Sequence, residues 1–201
     1  MPDIAAIVLA AGTASRYRQA DPSAATKVVA LYKGEPMVRH AVRAAEAAGL
    51  APVVVVTGCE AEAVQDALAG RDVVFADNAD YESGLASSLR AGVAALPESA
   101  DACLVLLGDM PLVGAPLLRA MTDAFAAAPD AAAVVPVYAG QRGNPVLLAR
   151  RVFGSVMELK GDEGARRLLR DPALKVVEVA ADEAAALDID TPDALRDIAR
   201  R

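Results

Sequence analysis

The sequence contains few of the reactive and metal-binding residue types on which many enzymes depend. Its 201 residues include no tryptophan, one histidine (His40) and two cysteines, Cys59 and Cys103. A disulfide framework or a zinc site would need more ligands at close spacing, so we expect the two cysteines to be buried thiols. His40 falls on a predicted helix without a second ligand at metal-binding spacing, and we expect it at the surface or at the boundary of the core.

Positive charge and long apolar segments are also scarce. The 20 Lys and Arg residues against 27 Asp and Glu residues give a net charge of −7, which argues against a general nucleic-acid-binding protein. No apolar run approaches the roughly 18 residues of a membrane span. The apolar start carries Asp3 where a secretory signal would have basic residues, so we expect no membrane association and a cytoplasmic location.

Small apolar residues are abundant instead. Hydrophobic residues make up 55 % of the chain and aromatic residues 3 %, so the core must consist of Ala, Val and Leu. Apolar runs alternate with helical patterns from residue 4 to residue 136, with no linker or repeat between them. This alternation predicts an α/β protein with a mostly parallel central sheet covered by helices on both faces, formed as one domain over residues 1–201.

The boundaries of the predicted elements follow from the apolar runs and from the proline and glycine positions. Strands are predicted over residues 4–11, 52–56, 73–76, 102–107 and 132–136. Helices are predicted over residues 36–48, 61–68, 87–95 and 116–127, with a further helix beginning at Pro192. The loops after residues 11, 76 and 107 follow the carboxyl ends of parallel strands, so we expect them to meet at one ligand site.

The first predicted strand stops at Gly12, and a polar segment carrying Arg16, Arg18 and Lys27 follows. Glycine lets the backbone approach a ligand closely, and arginine or lysine then neutralises phosphate charge, so this loop is typical of an anion site. It matches neither the GxGxxG nor the GxxxxGK[ST] pattern, which excludes the dinucleotide and P-loop interpretations. The alternative is a strand, a tight turn and solvated arginines, and spacing leaves both interpretations open.

Asp109 follows the most apolar predicted strand, between Gly108 and Met110. Charge at the end of a buried strand is costly unless it is paired or binds a cation. Mg²⁺ is commonly held by one or two carboxylates together with substrate phosphates, so Asp109 is a candidate magnesium ligand. The alternative is an aspartate that caps the following turn.

Two further aspartates, Asp188 and Asp190, stand near the end of the chain. Strand spacing would direct both side chains to the same face. Asp190 could instead cap the helix that begins at Pro192. Both roles stay open at this point.

These motifs together resemble the nucleotidyltransferases of the molybdenum-cofactor type, and most closely the molybdenum cofactor cytidylyltransferases within the MobA-like NTP transferase family. The resemblance spans nearly the whole chain. Three shared motifs are LAAG…SR…K (9–27), GDMP (108–111) and DIDTPDAL (188–195). Three more specific ones favour the cytidylyltransferase branch over the guanylyltransferase branch, namely GLASSLRAG (84–92), RGNPVLLARRVF (142–153) and GDEGAR (161–166).

The resemblance implies a role for each matching residue. Residues that would cradle the nucleotide, or meet its base and ribose, are Leu9, Ala10, Ala11, Gly12, Asn78 and Ser88. Residues that would contact its phosphates or hold Mg²⁺ are Arg16, Lys27, Asp109, Asp190 and, in support, Asp188. Asn144, in the turn 143–145, and the segment 161–166 would face the second substrate.

The resemblance therefore implies a three-layer, Rossmann-like fold of the nucleotide-diphospho-sugar transferase type and a Mg²⁺-dependent transfer of CMP from CTP. The acceptor would be a phosphate-bearing molybdopterin-type molecule, pyrophosphate would be released, and the protein would transiently contact the enzyme that accepts the cofactor. A phosphate is already an anionic nucleophile, so positioning and charge neutralisation suffice, in agreement with the scarcity of histidine and cysteine.

Other functions remain compatible with these residues. One is a guanylyltransferase, or an NTP transferase acting on a different phosphorylated small molecule. Another is a non-catalytic nucleotide-binding module on the same fold. The chain departs from the family pattern at Arg18 (usually glycine), Tyr81 (usually tryptophan) and Asn144 (usually histidine), and in its longer path from Arg16 to Lys27.

Overall fold

A central eight-stranded sheet organises the chain in the computed structural model, which describes residues 2–200. The strands are β1 (Ile4–Leu9), β2 (Leu31–Tyr32), β3 (Glu35–Pro36), β4 (Val53–Thr57), β5 (Val74–Asp77), β6 (Ala102–Leu107), β7 (Ala133–Tyr138), β8 (Gln141–Arg142), β9 (Val146–Ala149) and β10 (Val176–Ala180). The order across the sheet is β10-β7-β9-β6-β1-β4-β5, with β8 paired to β7, while β2 and β3 form a separate hairpin.

Most of this sheet is parallel. Strand β1 lies between β6 and β4 and is parallel to both, and β4 is parallel to β5. Strand β9 runs antiparallel to β6 on one side and to β7 on the other, so β7 has the direction of β6. The loops that follow β1, β4, β5 and β6 therefore emerge at one edge of the sheet, and β9 begins at that edge.

Helices cover both faces of the sheet. They are α1 (Ser15–Ala20), α2 (Met37–Ala47), α3 (Ala61–Ala67), α4 (Leu85–Ala94), α5 (Ala115–Ala127), α6 (Phe153–Met157) and α7 (Pro192–Ala199). Buried residues of α2, α3 and α5 pack on one face in a first apolar cluster, and those of α4 and α6 pack on the other face in a second. The predicted three-layer α/β fold is thus confirmed.

A third, smaller apolar cluster lies beside the carboxyl edge of the parallel strands. It joins Tyr17 of α1, Tyr32 and Met37 of the hairpin region, and Ile189 and Leu195 next to and within α7. Ile189 has no exposed surface, and burying such a side chain contributes about 1.5–3 kcal/mol. The cluster therefore fixes the segment that follows β1 and the segment around α7 against the same edge.

Several predicted boundaries are wrong by one to three residues. β1 ends at Leu9, and Pro36 belongs to β3, so α2 begins at Met37. α4 begins at Leu85, ahead of the predicted residue 87. Helix α1 occupies the polar segment after Gly12, where no helix was predicted. The strands β2, β3, β8, β9 and β10 were not predicted either.

His40 and the two cysteines lie where the sequence analysis expects them. His40 is partly buried, and its Nε2 lies 2.9 Å from the carbonyl oxygen of Tyr32. Cys59 and Cys103 are both buried free thiols. Within residues 2–200, no helix has the length and apolar character needed to cross a bilayer.

We expect Cys103 to resist alkylation in the folded protein. It lies in β6 with no exposed surface, and burial raises the pKa of its thiol far above the ordinary value, so the reactive thiolate is suppressed. Iodoacetamide labelling followed by mass spectrometry should modify Cys103 only after denaturation. Equal labelling rates in the folded and denatured protein would contradict this packing.

Candidate active site

The loops after β1, β5 and β6 meet at the carboxyl edge of the sheet, as predicted. They surround a cavity of about 350 Å³, which we call the nucleotide-side cavity after the role that the family resemblance implies for residues 9–12. Its lining comprises Leu9–Thr13, Lys27, Val28, Tyr81, Glu82, Gly84, Leu85, Ser88, Leu107, Asp109 and Asp162. Parallel sheets bind ligands at such an edge because the strand ends and the helix starts leave backbone groups available there.

Asp109 lies just beyond the end of β6 and is 8 % exposed. Its Oδ2 lies 2.5 Å from Nζ of Lys27, so its strongest contact is an ion pair, not a turn cap. Burial raises the pKa of the Asp109 carboxyl, and the Lys27 ammonium offsets this only in part. A further cation beside this carboxyl would favour its charged form, which burial makes costly.

Lys27 connects two of the predicted site carboxylates. Its Nζ donates to Oδ1 of Asp190 at 2.6 Å while it also contacts Asp109. Burial alone would lower the pKa of Lys27, but the Asp109 and Asp190 carboxylates outweigh that effect and raise it. Its ammonium group is therefore charged throughout the physiological range. Asp190 also pairs with Arg16, and hydrogen bonding to Lys27, more than any other contact, lowers the pKa of Asp190.

Asp188 and Asp190 reach the site from a segment without regular structure, although their spacing is that of a strand. The buried Ile189 between them anchors the segment, and its N–H donates to the carbonyl oxygen of Asp109 at 3.1 Å. Asp190 does not cap α7. Thr191 is the cap, because its Oγ1 accepts from the N–H of Ala194 at 3.2 Å.

The carboxylates of Asp109, Asp188 and Asp190 fit a divalent cation. One oxygen from each lies within 4.8 Å of the others, a spacing that a single ion can bridge. Carboxylate oxygens are the ligands preferred by hard ions such as Mg²⁺ and Mn²⁺. Lys27 and Arg16 compensate only part of the negative charge of the three aspartates, so a further cation is electrostatically favoured.

The loop after β1, residues 10–13, which we call the glycine loop, presents unused backbone donors to the nucleotide-side cavity. Within residues 2–200, the N–H groups of Gly12 and Thr13 donate to no other group. Arg16 is exposed at the edge of the site. Arg18 is directed elsewhere, since its guanidinium donates to the carbonyl oxygen of Ala25 and to Glu60, each at 2.8 Å, and so braces the loop that leads to Lys27.

We expect Gly12→Ala to fold normally and to lose nucleotide affinity. A Cβ at Gly12 would meet nothing within 4 Å, so the protein itself does not require glycine there, whereas a ligand lying on the loop would meet the new methyl group. Nucleotide titration should show affinity weakened by about tenfold with an unchanged melting temperature. Gly154→Ala, which also meets nothing within 4 Å, is the matched control. Equal affinity in both variants would contradict a nucleotide-contacting loop.

Asn78 and Ser88 belong to one buried polar network. The Nδ2 group of Asn78 donates to Oγ of Ser87 at 2.9 Å and to Oγ of Ser88 at 3.0 Å. Ser88 lines the nucleotide-side cavity, whereas Asn78 is not part of its lining. The structure therefore brings Ser88 to the site and places Asn78 behind it.

A second cavity of about 460 Å³, the acceptor-side cavity, adjoins the first and shares Leu9, Leu85, Leu107 and Asp162 with it. Asn144 lines this cavity because antiparallel β9 begins at the carboxyl edge, with Val146 opposite Val105 of β6. Asp188 and the segment 162–167 also line it. The sequence analysis did not identify Thr13 or Arg170 as lining residues. The one indication in the sequence that Arg170 could line the cavity is its position four residues after Arg166.

Two adjoining cavities at the carboxyl edge of the sheet, with a lysine and three aspartates beside them, can bring two phosphates together while neutralising their charge. That arrangement, on this fold, defines a nucleotidyltransferase. Comparison with known proteins gives the family: the chain belongs to the MobA-like NTP transferase domains, whose family model matches residues 6–179. The predicted family and enzyme class are confirmed.

Individual relatives agree with this assignment. The chain is 35 % identical to the bifunctional protein GlmU of Geobacter metallireducens over 154 residues, which are 77 % of this chain and 31 % of that protein. It thus spans about a third of that relative's length.

Solved structures cover the whole chain. Rv0371c from Mycobacterium tuberculosis is 30 % identical with a TM-score of 0.83, over 100 % of this chain and 98 % of that one. Its complex with manganese is 29 % identical with a TM-score of 0.79, over 100 % and 99 %. The nucleotidyl transferase Mth528 from Methanothermobacter is 25 % identical with a TM-score of 0.82, over 98 % and 96 %.

Proposed function

We propose that this protein is a Mg²⁺-dependent cytidylyltransferase that transfers CMP from CTP to a phosphate-bearing molybdopterin-type acceptor and releases pyrophosphate. The observation that carries the proposal is the contact of Lys27 with both Asp109 and Asp190, between the glycine loop and the acceptor-side cavity. The specific motifs 84–92, 142–153 and 161–166 support the cytidylyl branch. The manganese complex of Rv0371c supports a divalent metal in a relative of this chain.

The residues of the chain divide the work of the reaction. The N–H groups of Gly12 and Thr13 and the cations Arg16 and Lys27 bind the triphosphate and hold it in line with the acceptor. Asp109, Asp190 and Asp188 would hold Mg²⁺, which when bound neutralises phosphate charge and stabilises the leaving pyrophosphate. The walls of the acceptor-side cavity orient the acceptor phosphate, which is itself the nucleophile and needs no general base.

The GlmU relatives favour a second candidate, an NTP transferase acting on a different phosphorylated small molecule. Their identity is 35 % over 154 residues in one relative and 39 % over 118 residues in another, but their names do not state a molybdopterin-type acceptor. The decisive assay incubates the protein with each NTP, Mg²⁺ and either a molybdopterin-type acceptor or sugar phosphates, and measures pyrophosphate. Release with sugar phosphates alone would replace the first candidate by the second.

We expect a preference for CTP over GTP of about tenfold or more in side-by-side assays, because a wrong base leaves buried polar groups unpaired. Ser88→Ala should reduce this preference, since the Ser88 hydroxyl lines the nucleotide-side cavity. Asn78→Ala should act in the same direction by releasing the Ser88 hydroxyl. Ser155→Ala, on the exposed side of α6, is the control. A preference for GTP would refute the cytidylyl assignment.

A further inference from the structure

The acceptor-side cavity contains positive charge for which the protein supplies no partner. Among the lysine and arginine side chains of residues 2–200, only Lys160, Arg166 and Arg170 make no hydrogen bond, ion pair or ring contact. All three lie within residues 160–170, and the two arginines line the cavity. In a chain of net charge −7, cations without carboxylate partners are not expected to cluster by chance.

The two arginines stand on a fixed frame. The segment begins against α4, where the carbonyl oxygen of Gly161 accepts from the N–H of Ala86 at 2.9 Å. It continues to the buried Leu169, whose carbonyl oxygen accepts from Nη1 of Arg142 at 3.2 Å. Arg167 lies between the two arginines in sequence but pairs with Glu163. The frame therefore holds the backbone while leaving Arg166 and Arg170 available to a ligand.

The cavity offers three kinds of surface to an acceptor. Asp188, a member of the aspartate cluster, lines it together with the two arginines. The rest of the lining has apolar side chains at Leu85, Leu89, Val105, Leu107 and Val146. Its other polar groups are Asn144, the Asp162 carboxylate and the Glu163–Arg167 ion pair. A ligand complementary to this lining has a reactive phosphate near the aspartates, an apolar or flat body, and a further negative charge.

We infer that the acceptor carries a second anionic group, separate from the phosphate that attacks the nucleotide, and that Arg166 and Arg170 bind it. This inference rests on the proposed function, because it assigns the acceptor of that reaction. Guanidinium groups bind phosphate and carboxylate with paired, charge-assisted hydrogen bonds. The second anion thus sets both affinity and the orientation of the acceptor.

The test uses small probes, because it does not require the natural acceptor. Alkylphosphonates of increasing chain length, each with and without a terminal carboxylate, are titrated calorimetrically into the full chain with Mg²⁺. The titrations are run both with and without a non-hydrolysable CTP analogue. At one range of chain lengths the carboxylate should strengthen binding by roughly tenfold, the effect expected of one charge-assisted contact.

Arg166→Gln and Arg170→Gln should each abolish that gain, while Arg43→Gln, which removes a guanidinium paired with Glu35 outside the cavity lining, should retain it. If the carboxylate gives no gain at any chain length, or if Arg43→Gln loses it equally, the inference is overturned. The CTP analogue provides a separate readout: a protein that does not bind it contradicts the proposed function. A protein that binds the analogue but shows no carboxylate dependence overturns only the second anion.

Discussion

Asp109→Asn should lower turnover by about 10²–10³-fold, the scale associated with removing one preorganised charge-stabilising group from an active site. The neutral amide oxygen is a weaker ligand for a divalent ion than a carboxylate, and the ion pair with Lys27 is lost. Pyrophosphate release at saturating and at limiting Mg²⁺ measures the effect. Near-normal turnover at limiting Mg²⁺ would contradict a metal-binding role.

The same substitution should leave stability unchanged or raise it. Burial raises the pKa of Asp109 despite the neighbouring Lys27, so the charged form is less favourable in the folded protein than in the unfolded chain. Stability therefore falls as the pH rises from the unfolded pKa through the folded pKa, and at neutral pH the neutral amide removes this cost. A melting temperature at or above that of the parent, with turnover lost, separates catalysis from folding. Asp193→Asn, at an exposed carboxylate, should change neither.

Lys27→Met should lower turnover, and it should also lower the stability of the protein measured without Mg²⁺. It removes a cation proposed to bind phosphate, and a charged hydrogen bond of this kind contributes about 1.5–3 kcal/mol. It also leaves Asp109 without its ion-pair partner and Asp190 with Arg16 alone, and breaking a buried ion pair costs about 3–5 kcal/mol. Since Asp190 is partly exposed, we expect the lower end of that range.

Mg²⁺ should restore part of the stability that Lys27→Met loses, because a divalent ion neutralises the same carboxylates. Thermal melts with and without Mg²⁺ test this. Lys175→Met, which removes a lysine paired with exposed Asp130, should lose less than about 1 kcal/mol and show no rescue. A Lys27→Met variant that binds and turns over NTP like the parent would exclude Lys27 and the glycine loop as the phosphate site.

The sequence was sufficient for the parts of the fold that depend on local pattern. Apolar runs place β1 and β6, and a charged residue directly after β6 is conspicuous at Asp109. The direction of a strand leaves no such trace: β9 has the same apolar composition as a parallel strand, although it runs the opposite way. The position of Asn144 at the carboxyl edge depends on that reversal.

Other features depend on contacts between distant parts of the chain. The spacing of Asp188 and Asp190 indicates that their side chains share a direction. They do so because Ile189 between them is buried in a cluster with α1 and α7. Helix α1 is too short and polar to predict from its sequence. The burial of its Tyr17 in that cluster stabilises the helix. Arg18 contacts Ala25 and Glu60 only because the loop is folded. In the sequence, Arg18 is visible only as a departure from the family pattern.

The junction of Gly84 and Gly161 bears on how acceptor specificity can be exchanged between relatives. Gly84 has a φ of 106°, and a Cβ there would lie 2.4 Å from the carbonyl carbon of Gly161. The start of α4 and the arginine-bearing segment thus meet backbone to backbone, and residue 84 must lack a side chain for the segment to keep this path. A chimera that grafts residues 160–170 from a relative without the matching residues 84–86 should misplace the serine of the nucleotide-side cavity as well. We therefore expect the two segments to be exchangeable between relatives only together.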